Sequence, residues 1–504
     1  MRRGSITVFA ALSMMLIASF IFALLESARV YGLDSYAVRK THLGVVSAGA
    51  EYQPLLWEQY HLLMLDGAYG TEEFSTERVS QHMTEDIEKS MTWENSILGA
   101  FLTDFFVLEL ETVESLEYQL VTDGKGSVFL NQIAEVMKEN LPFRVAEEIY
   151  DRYQEGKEME EENGDISGNA IEQAEQALLE AREQENSSEG ASGAESENVD
   201  TETVETAVQI KENPLEVVRE VKQSATLNLV LEDAGMVSDL QLDLADPLEK
   251  RECTEGTMTV LEEKDWYRKI LILEYLDEYF SCYTEPLDGH ALAYELEYLF
   301  GGEKSEKENL EKVVNRLLLI REAANVTYIL KDREKMELAG ALADLIGGFS
   351  GNPAVIMLVK VAIVGAWAFL ESVLDVRTLL SGGRIALLKS EDQWTTDVEN
   401  LLSSFQENAK AKDCEGGMTY RDYIKQQLFF MSDTQLAFRM MDVMEQNLKI
   451  HSEYQNCKMD HMIVAMRCRC TYTEEPFFSR LSVLGRLSAS KWYFEKEEYF
   501  SYVP

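Results

Sequence analysis

The chain reads as mainly α, of the α+β class. An N-terminal transmembrane helix extends into a stem, a helical ectodomain follows, and a small C-terminal antiparallel sheet closes the chain. Three features lead there. No residue from Ser5 to Leu25 is charged, apolar residues recur three and four apart through most of the chain, and after about residue 450 the period changes to alternation.

The first element is the apolar run SITVFAALSMMLIASFIFALL. At about 1.5 Å per residue it spans roughly 30 Å, the thickness of a bilayer core. It is too long for a cleaved secretory signal, and Glu26-Ser27-Ala28-Arg29 is a poor cleavage site. Residues 1–4 form a short basic leader ending in Gly4, so the Gly4–Ser5 bond is the candidate processing site. Arg2 and Arg3 favour a cytoplasmic N-terminus, against the weaker opposing set Arg29, Arg39 and Lys40. That orientation makes the protein single-pass and places the bulk of the chain outside the cytoplasm. No proline occurs before Pro54, and helical spacing continues past Leu25, which predicts a stem continuous with the span.

The 504 residues carry 90 acids against 46 bases, a formal net charge of −44. That balance excludes nucleic acid, which needs a basic footprint. It also argues against broad electrostatic docking of the soluble part on anionic lipid. Six cysteines are too few for a disulfide scaffold, leaving room for one or two bridges.

Residues 26–153 read as the stem and a first helical region, including ILGAFLTDFFVLELETVESLEYQL and a break at Leu141-Pro142. Residues 154–212 contain no aromatic residue and only Lys157, Arg182 and Lys211 as bases among many acids. Their composition predicts a disordered acidic insertion, with IEQAEQALLEAREQ as a transient helix. The main helical domain, 213–450, opens on an Asn213 cap with Pro214 in the first turn. Within it Leu310, Val313, Val314, Leu317, Ile320 and Ala324 form one apolar stripe, started by Ser305 three residues before Glu308.

PAVIMLVKVAIVGAWAFL, at 353–370, is long enough for a second span. Lys360 at its middle would cost about 3 kcal/mol in a bilayer, so a buried core helix is the better reading. Gly382-Gly383 stops that helix. Residues 451–504 form the small β region, with MIVAMRCRCTYT as one strand and RLSVLGRLSASKWYF as its partner.

Candidate chemistry is thin. GGEKS at Gly301–Ser305 fails the phosphate-loop pattern, because Glu303 separates Gly302 from Lys304; a turn and helix cap explains it. Cys457, His461, Cys468 and Cys470 can be drawn as a metal set, but the C-x-C spacing is unusual for structural zinc and fits two residues sharing a strand face. Glu371 and Asp375, four apart, are expected in a buried polar network with Arg377 or Lys360. No catalytic residue, cofactor, metal or small-molecule substrate is identified.

Two regions carry a family resemblance. The start, RRGSITVFAALSMMLIASFIFALLESARVYGLDSYA, resembles the TadE/TadG-like minor pilins of the tight-adherence (Flp-type) pilus. The body, with AYELEYLFGGEKSEKENLEKVVNRLLLIREAANVTYIL and WAFLESVLDVRTLLSGGRIALLKS, is similar to an uncharacterised family of Gram-positive anaerobes encoded beside tight-adherence or type II secretion-like machinery. Processed pilins of that kind carry Glu at the fifth mature position. Cleavage after Gly4 would put Phe9 there, and the first acid is Glu26. The resemblance implies a membrane location and a non-enzymatic assembly role. Its partners would be membrane lipid, through residues 5–25, and pilus or secretion subunits. A membrane-tethered hydrolase and a surface adhesin or sensor are the alternatives.

Overall fold

The structure, a computed structural model, describes residues 2–93, 108–163, 166–188, 213–222, 224–241, 246–260, 265–397, 409–478 and 490–503. In chain order its main elements are α1 (Arg2–Ala50), α2 (Pro54–Tyr60), β1 (Leu65–Asp66), α3 (Thr76–Trp93), β2 (Glu109–Leu120), α4 (Ser127–Met137), α5 (Phe143–Asn163), α6 (Ile166–Ser188), α7 (Pro214–Lys222), α8 (Thr226–Val230) and α9 (Trp266–Tyr279). There follow α10 (Glu295–Gly301), α11 (Glu306–Lys331), α12 (Arg333–Gly347), α13 (Pro353–Leu380), α14 (Tyr420–Phe430), α15 (Asp433–Lys449), β3 (Met462–Glu474) and β4 (Trp492–Ser501). The protein is mainly helical with a small antiparallel sheet, as the patterning predicts.

The elements gather into two units, and neither is continuous in sequence. Unit 1 comprises Met1–Val136, Leu244–Lys264 and Asp433–Pro504; unit 2 comprises Met137–Asp243 and Asp265–Ser432. This differs from the linear division at residues 153, 212 and 450. The reason is long-range strand pairing, which leaves no local mark on composition.

Unit 1 is built on its sheet. β3 lies at the centre, antiparallel to β2 on one edge and to β4 and the short β1 on the other. Cys468, Cys470 and Tyr472 share one face of β3, all fully buried, and α1 and α3 pack there through Leu33, Ala37, Val45, Val79, Met83 and Ile87. Gly44 permits the close crossing of α1 and α3: a Cβ there would lie 2.7 Å from the Ile87 side chain.

β2 corrects the helical reading of residues 109–120. Register shifts between Leu110 and Thr112, and between Ser115 and Glu117, insert extra residues into the strand. Its core-facing residues Leu110, Val113 and Tyr118 are therefore not two apart, and the first pair falls at helical spacing. The preceding part of that predicted helix, 97–107, lies outside the described residues. At the C-terminus the described partner of β3 is Trp492–Ser501; the earlier part of the predicted partner strand, 480–489, lies outside the described residues.

In unit 2, α11 and α13 form the centre. The predicted stripe of α11 is buried throughout, and Arg321 and Asn325 are buried with it. Ser305 caps α11, accepting the Glu308 N–H. Asn352 caps α13, and every residue from Ala362 to Val376 is buried. The apolar 353–380 helix is thus enclosed by protein over most of its length, with Lys360 half-buried.

α5 and α6 correct the expectation for residues 154–188. α6 sets Ala170, Ile171 and Ala174 into the protein, and packs on α13. Composition misled because the acids occupy the outer face, while small and aliphatic residues every three or four positions suffice to bury a helix with strong intrinsic propensity. Residues 189–212 lie outside the described residues.

Candidate functional site

The chain's functional geometry begins in α1. From Ile6 to Leu25 no side chain is buried; Phe9 is 72% exposed and Leu16 73%. A helix apolar on every side and bare on every side is long and apolar enough to cross a membrane. Gly4 and Ser5, the candidate processing pair, lie inside α1 with no break in helical backbone before the span.

Burial starts one residue after the span. Glu26, Arg29, Leu33, Ala37, Lys40, Thr41, Val45 and Ala48 are buried at intervals of three and four, so one stripe of α1 faces its own domain. Glu26 accepts the backbone N–H of Phe478 at 2.6 Å and that of Phe477 at 3.4 Å. Arg29 donates to Glu26 at 3.0 Å, to the carbonyl of Glu475 at 3.3 Å, and to the carboxylate of Glu474. Burial pushes the Glu474 carboxyl up, and Arg29 pulls it back. Here the helix leaving the apolar span is bolted to the end of β3.

Further contacts climb the stem. Lys496 pairs with Asp34 at 2.7 Å, Thr41 and Tyr472 share a hydrogen bond at 2.9 Å, and Tyr502 donates its hydroxyl to the Gly49 carbonyl at 2.5 Å. The twenty residue steps from Arg29 to Gly49 rise about 30 Å as helix, and the ten steps from Trp492 to Tyr502 rise about 33 Å as extended chain. Matched lengths let β4 splint the stem along its whole upper half. The i, i+3 pair Glu26–Arg29, directly after an apolar run, is the sequence signal for this site.

The other candidate groups have structural roles. Gly302 takes a left-handed conformation that ends α10, so GGEKS is a turn and a cap. Cys468 and Cys470 sit side by side in the core, and burial pushes the Cys468 thiol up to about 12. Cys457 lies 3.6 Å from Asp66 rather than beside that pair. Burial first, and Asp66 second, push its thiol up to about 12, the wrong direction for a nucleophile. All six cysteines are free.

Glu371 and Asp375 do join a buried network, but with other cations than expected. Arg321 and Lys389 pair with Asp375 at 3.0 and 2.5 Å, and Lys389 also pairs with Glu371. Arg377 instead donates to the carbonyls of Leu229 and Ala409. One helical turn separates Glu371 from Asp375, which puts both on the face toward α11, whereas Arg377 lies half a turn away from Asp375.

A second set of buried acids organises the loop before α10. Glu295 accepts the Ser281 N–H at 2.9 Å and pairs with His290 at 2.7 Å. Glu297 accepts the Tyr283 N–H at 2.8 Å and the Tyr420 hydroxyl at 2.7 Å, while its other oxygen has no hydrogen-bond partner among the described residues. Burial pushes the Glu297 carboxyl up to about 7 against those two donors. For His290, burial disfavours the imidazolium but Glu295 outweighs it and raises the pKa.

Both folded-state pKa values stand above their unfolded ones, so both contributions are complete at low pH and fade as pH rises through the folded values. Unit 2 is therefore expected to lose about 1 kcal/mol from Glu297 alone between pH 6 and pH 8. Glu297→Gln removes that share of the slope. Thermal melting of both chains at the two pH values checks it; parallel slopes would contradict it.

A family model described as a family of unknown function (DUF5702) matches residues 204–474, more than half of the chain. The matched residues do not include α1. No curated protein matches the chain, and no solved structure matches it.

Proposed function

The chain belongs to that family of unknown function, and from its own geometry we propose that it is a membrane-anchored, non-enzymatic structural or assembly component of a tight-adherence pilus or secretion-like apparatus. One observation carries the proposal. A single unbroken helix is bare and apolar for its first half and is the packed spine of unit 1 for its second. Such a helix transmits position rigidly from the bilayer to the domain, which suits a scaffold.

Arg2 and Arg3 flank the span on the cytoplasmic side, and the acidic bulk lies outside. Above the span Tyr31, Val38, Leu43 and Val46 remain exposed on the stem, continuing an apolar surface upward from the anchor. That surface supports lateral packing against neighbouring subunits. The buried carboxylates Glu295, Glu297, Glu371 and Asp375 are engaged by the protein's own groups, which supports a structural rather than a catalytic use of them.

The test is a photocrosslinking residue at Leu16 or Val38 of the full chain in its native membrane. Covalent adducts with a second copy or another membrane-anchored subunit of the same apparatus are expected at both positions. Lipid adducts alone at Leu16, with none at Val38, would contradict the assembly role and leave only a tether.

A further inference from the structure

We infer that the end of unit 1 beside the span is a lipid-seating surface, in which Phe477, Phe478, Trp492 and Tyr493 rest in the headgroup layer around the exit of α1. The inference rests on reading Ser5–Leu25 as a membrane span.

Placement comes from the bolted cluster. The amides of Phe477 and Phe478 are held by Glu26, the first residue past the span. The Arg29 guanidinium lies 6.0 Å from the Phe477 ring centre, and the two phenylalanine rings meet edge to face at 5.1 Å. Glu474, bonded to Arg29, stands opposite Trp492 in the β3–β4 ladder, and Thr473 stands opposite Tyr493. Arg29 is four residues past Leu25, about 6 Å along the helix axis, and cross-strand neighbours lie about 5 Å apart. The headgroup region of one leaflet is roughly 5–8 Å thick. All four aromatic residues therefore fall at or near that layer.

Their exposure fits lipid. Trp492 is 43% exposed and Tyr493 63%, large rings left open at one edge of the sheet. Rings of this kind, apolar in body with a polar handle, are the residues that favour the membrane–water boundary. The charges nearby are largely paired within unit 1, Arg29 holding both Glu26 and Glu474. Lys491 pairs with Glu109 at 3.8 Å, and Glu475 is exposed. The seat is thus held by aromatic burial rather than by electrostatic attraction, since a chain of net charge −44 gains none from anionic headgroups. Its consequence is orientation: a lone span leaves tilt free over tens of degrees, whereas a second point of contact restricts unit 1 to a narrow range.

The test uses the full chain in vesicles of phosphatidylcholine with phosphatidylglycerol, the acyl chains brominated close to the headgroup. Tryptophan fluorescence is compared between the wild-type chain and Trp492→Phe, with flotation measured on the same samples. The seat predicts that both chains float, that brominated lipid quenches the wild-type chain, and that Trp492→Phe loses that quenched component. Flotation of both chains with identical quenching would overturn the seat and leave the anchor standing. So would a Trp492 component shielded from both lipid and aqueous acrylamide, the signature of a protein partner on this surface. Failure of the wild-type chain to float would overturn the span itself, and the seat with it.

Discussion

Asp375→Ala is expected to destabilise unit 2 by about 3–5 kcal/mol, the usual cost of removing one partner from a buried ion pair. Asp375, Glu371, Arg321 and Lys389 have fully buried side chains and balance two charges against two. Removing Asp375 leaves two cations facing one carboxylate. Arg321 keeps the carbonyls of Ala386 and Leu387 at 3.0 and 2.9 Å and the Tyr423 oxygen at 2.8 Å, none of which carries a compensating charge. Asn325, which donates to Asp375 at 3.1 Å, loses an acceptor as well. Asp375→Asn preserves the shape and one acceptor, so a smaller loss is expected. Urea unfolding followed by far-ultraviolet circular dichroism measures both. A loss below about 1 kcal/mol for the alanine variant, the scale of an exposed ion pair, would contradict the network's weight in this core.

Arg29→Ala is expected to loosen the stem from its domain by a similar amount at neutral pH. Its side chain is the cation between Glu26 and Glu474, both buried. Without it, two carboxylates face each other at the end of β3. The Glu474 pKa, already raised by burial, is then raised further. A folded pKa above the unfolded value means the contribution is intact below the ordinary glutamate range and lost as pH rises through the folded value. The variant's deficit therefore shrinks toward acid pH and is full at pH 8. Adding Glu474→Gln to Arg29→Ala is expected to restore part of the loss at neutral pH. Hydrogen exchange of the 26–50 backbone in detergent or vesicles reads this directly; equal protection in wild type and variant would contradict it.

The sequence disclosed α1 as a continuous helix, because an apolar run without charge and a long stretch without proline are local signals. It did not disclose what the helix packs against. The buried stripe passes through Glu26, Arg29, Lys40 and Thr41, residues that read as solvated until the strand bearing Glu474 and Tyr472 is placed beside them. β2 stayed hidden because its bulges give core-facing residues a partly helical spacing. The partners of Asp375 were half legible. Two acids on one face of α13 announce a network, but Lys389 comes from an irregular segment and Arg321 from inside an apolar stripe, and neither is marked by spacing.

The division of α1 into a membrane half and a folded half is tested most directly by removing residues 2–24 and following both sedimentation and thermal melting. Two halves with separate duties predict that the shortened chain leaves the membrane pellet for the aqueous fraction and keeps the melting transition of the full-length protein in detergent. A shortened chain that still pellets with membranes, or a full-length chain that never does, would show that Ser5–Leu25 is not what holds this protein to the bilayer.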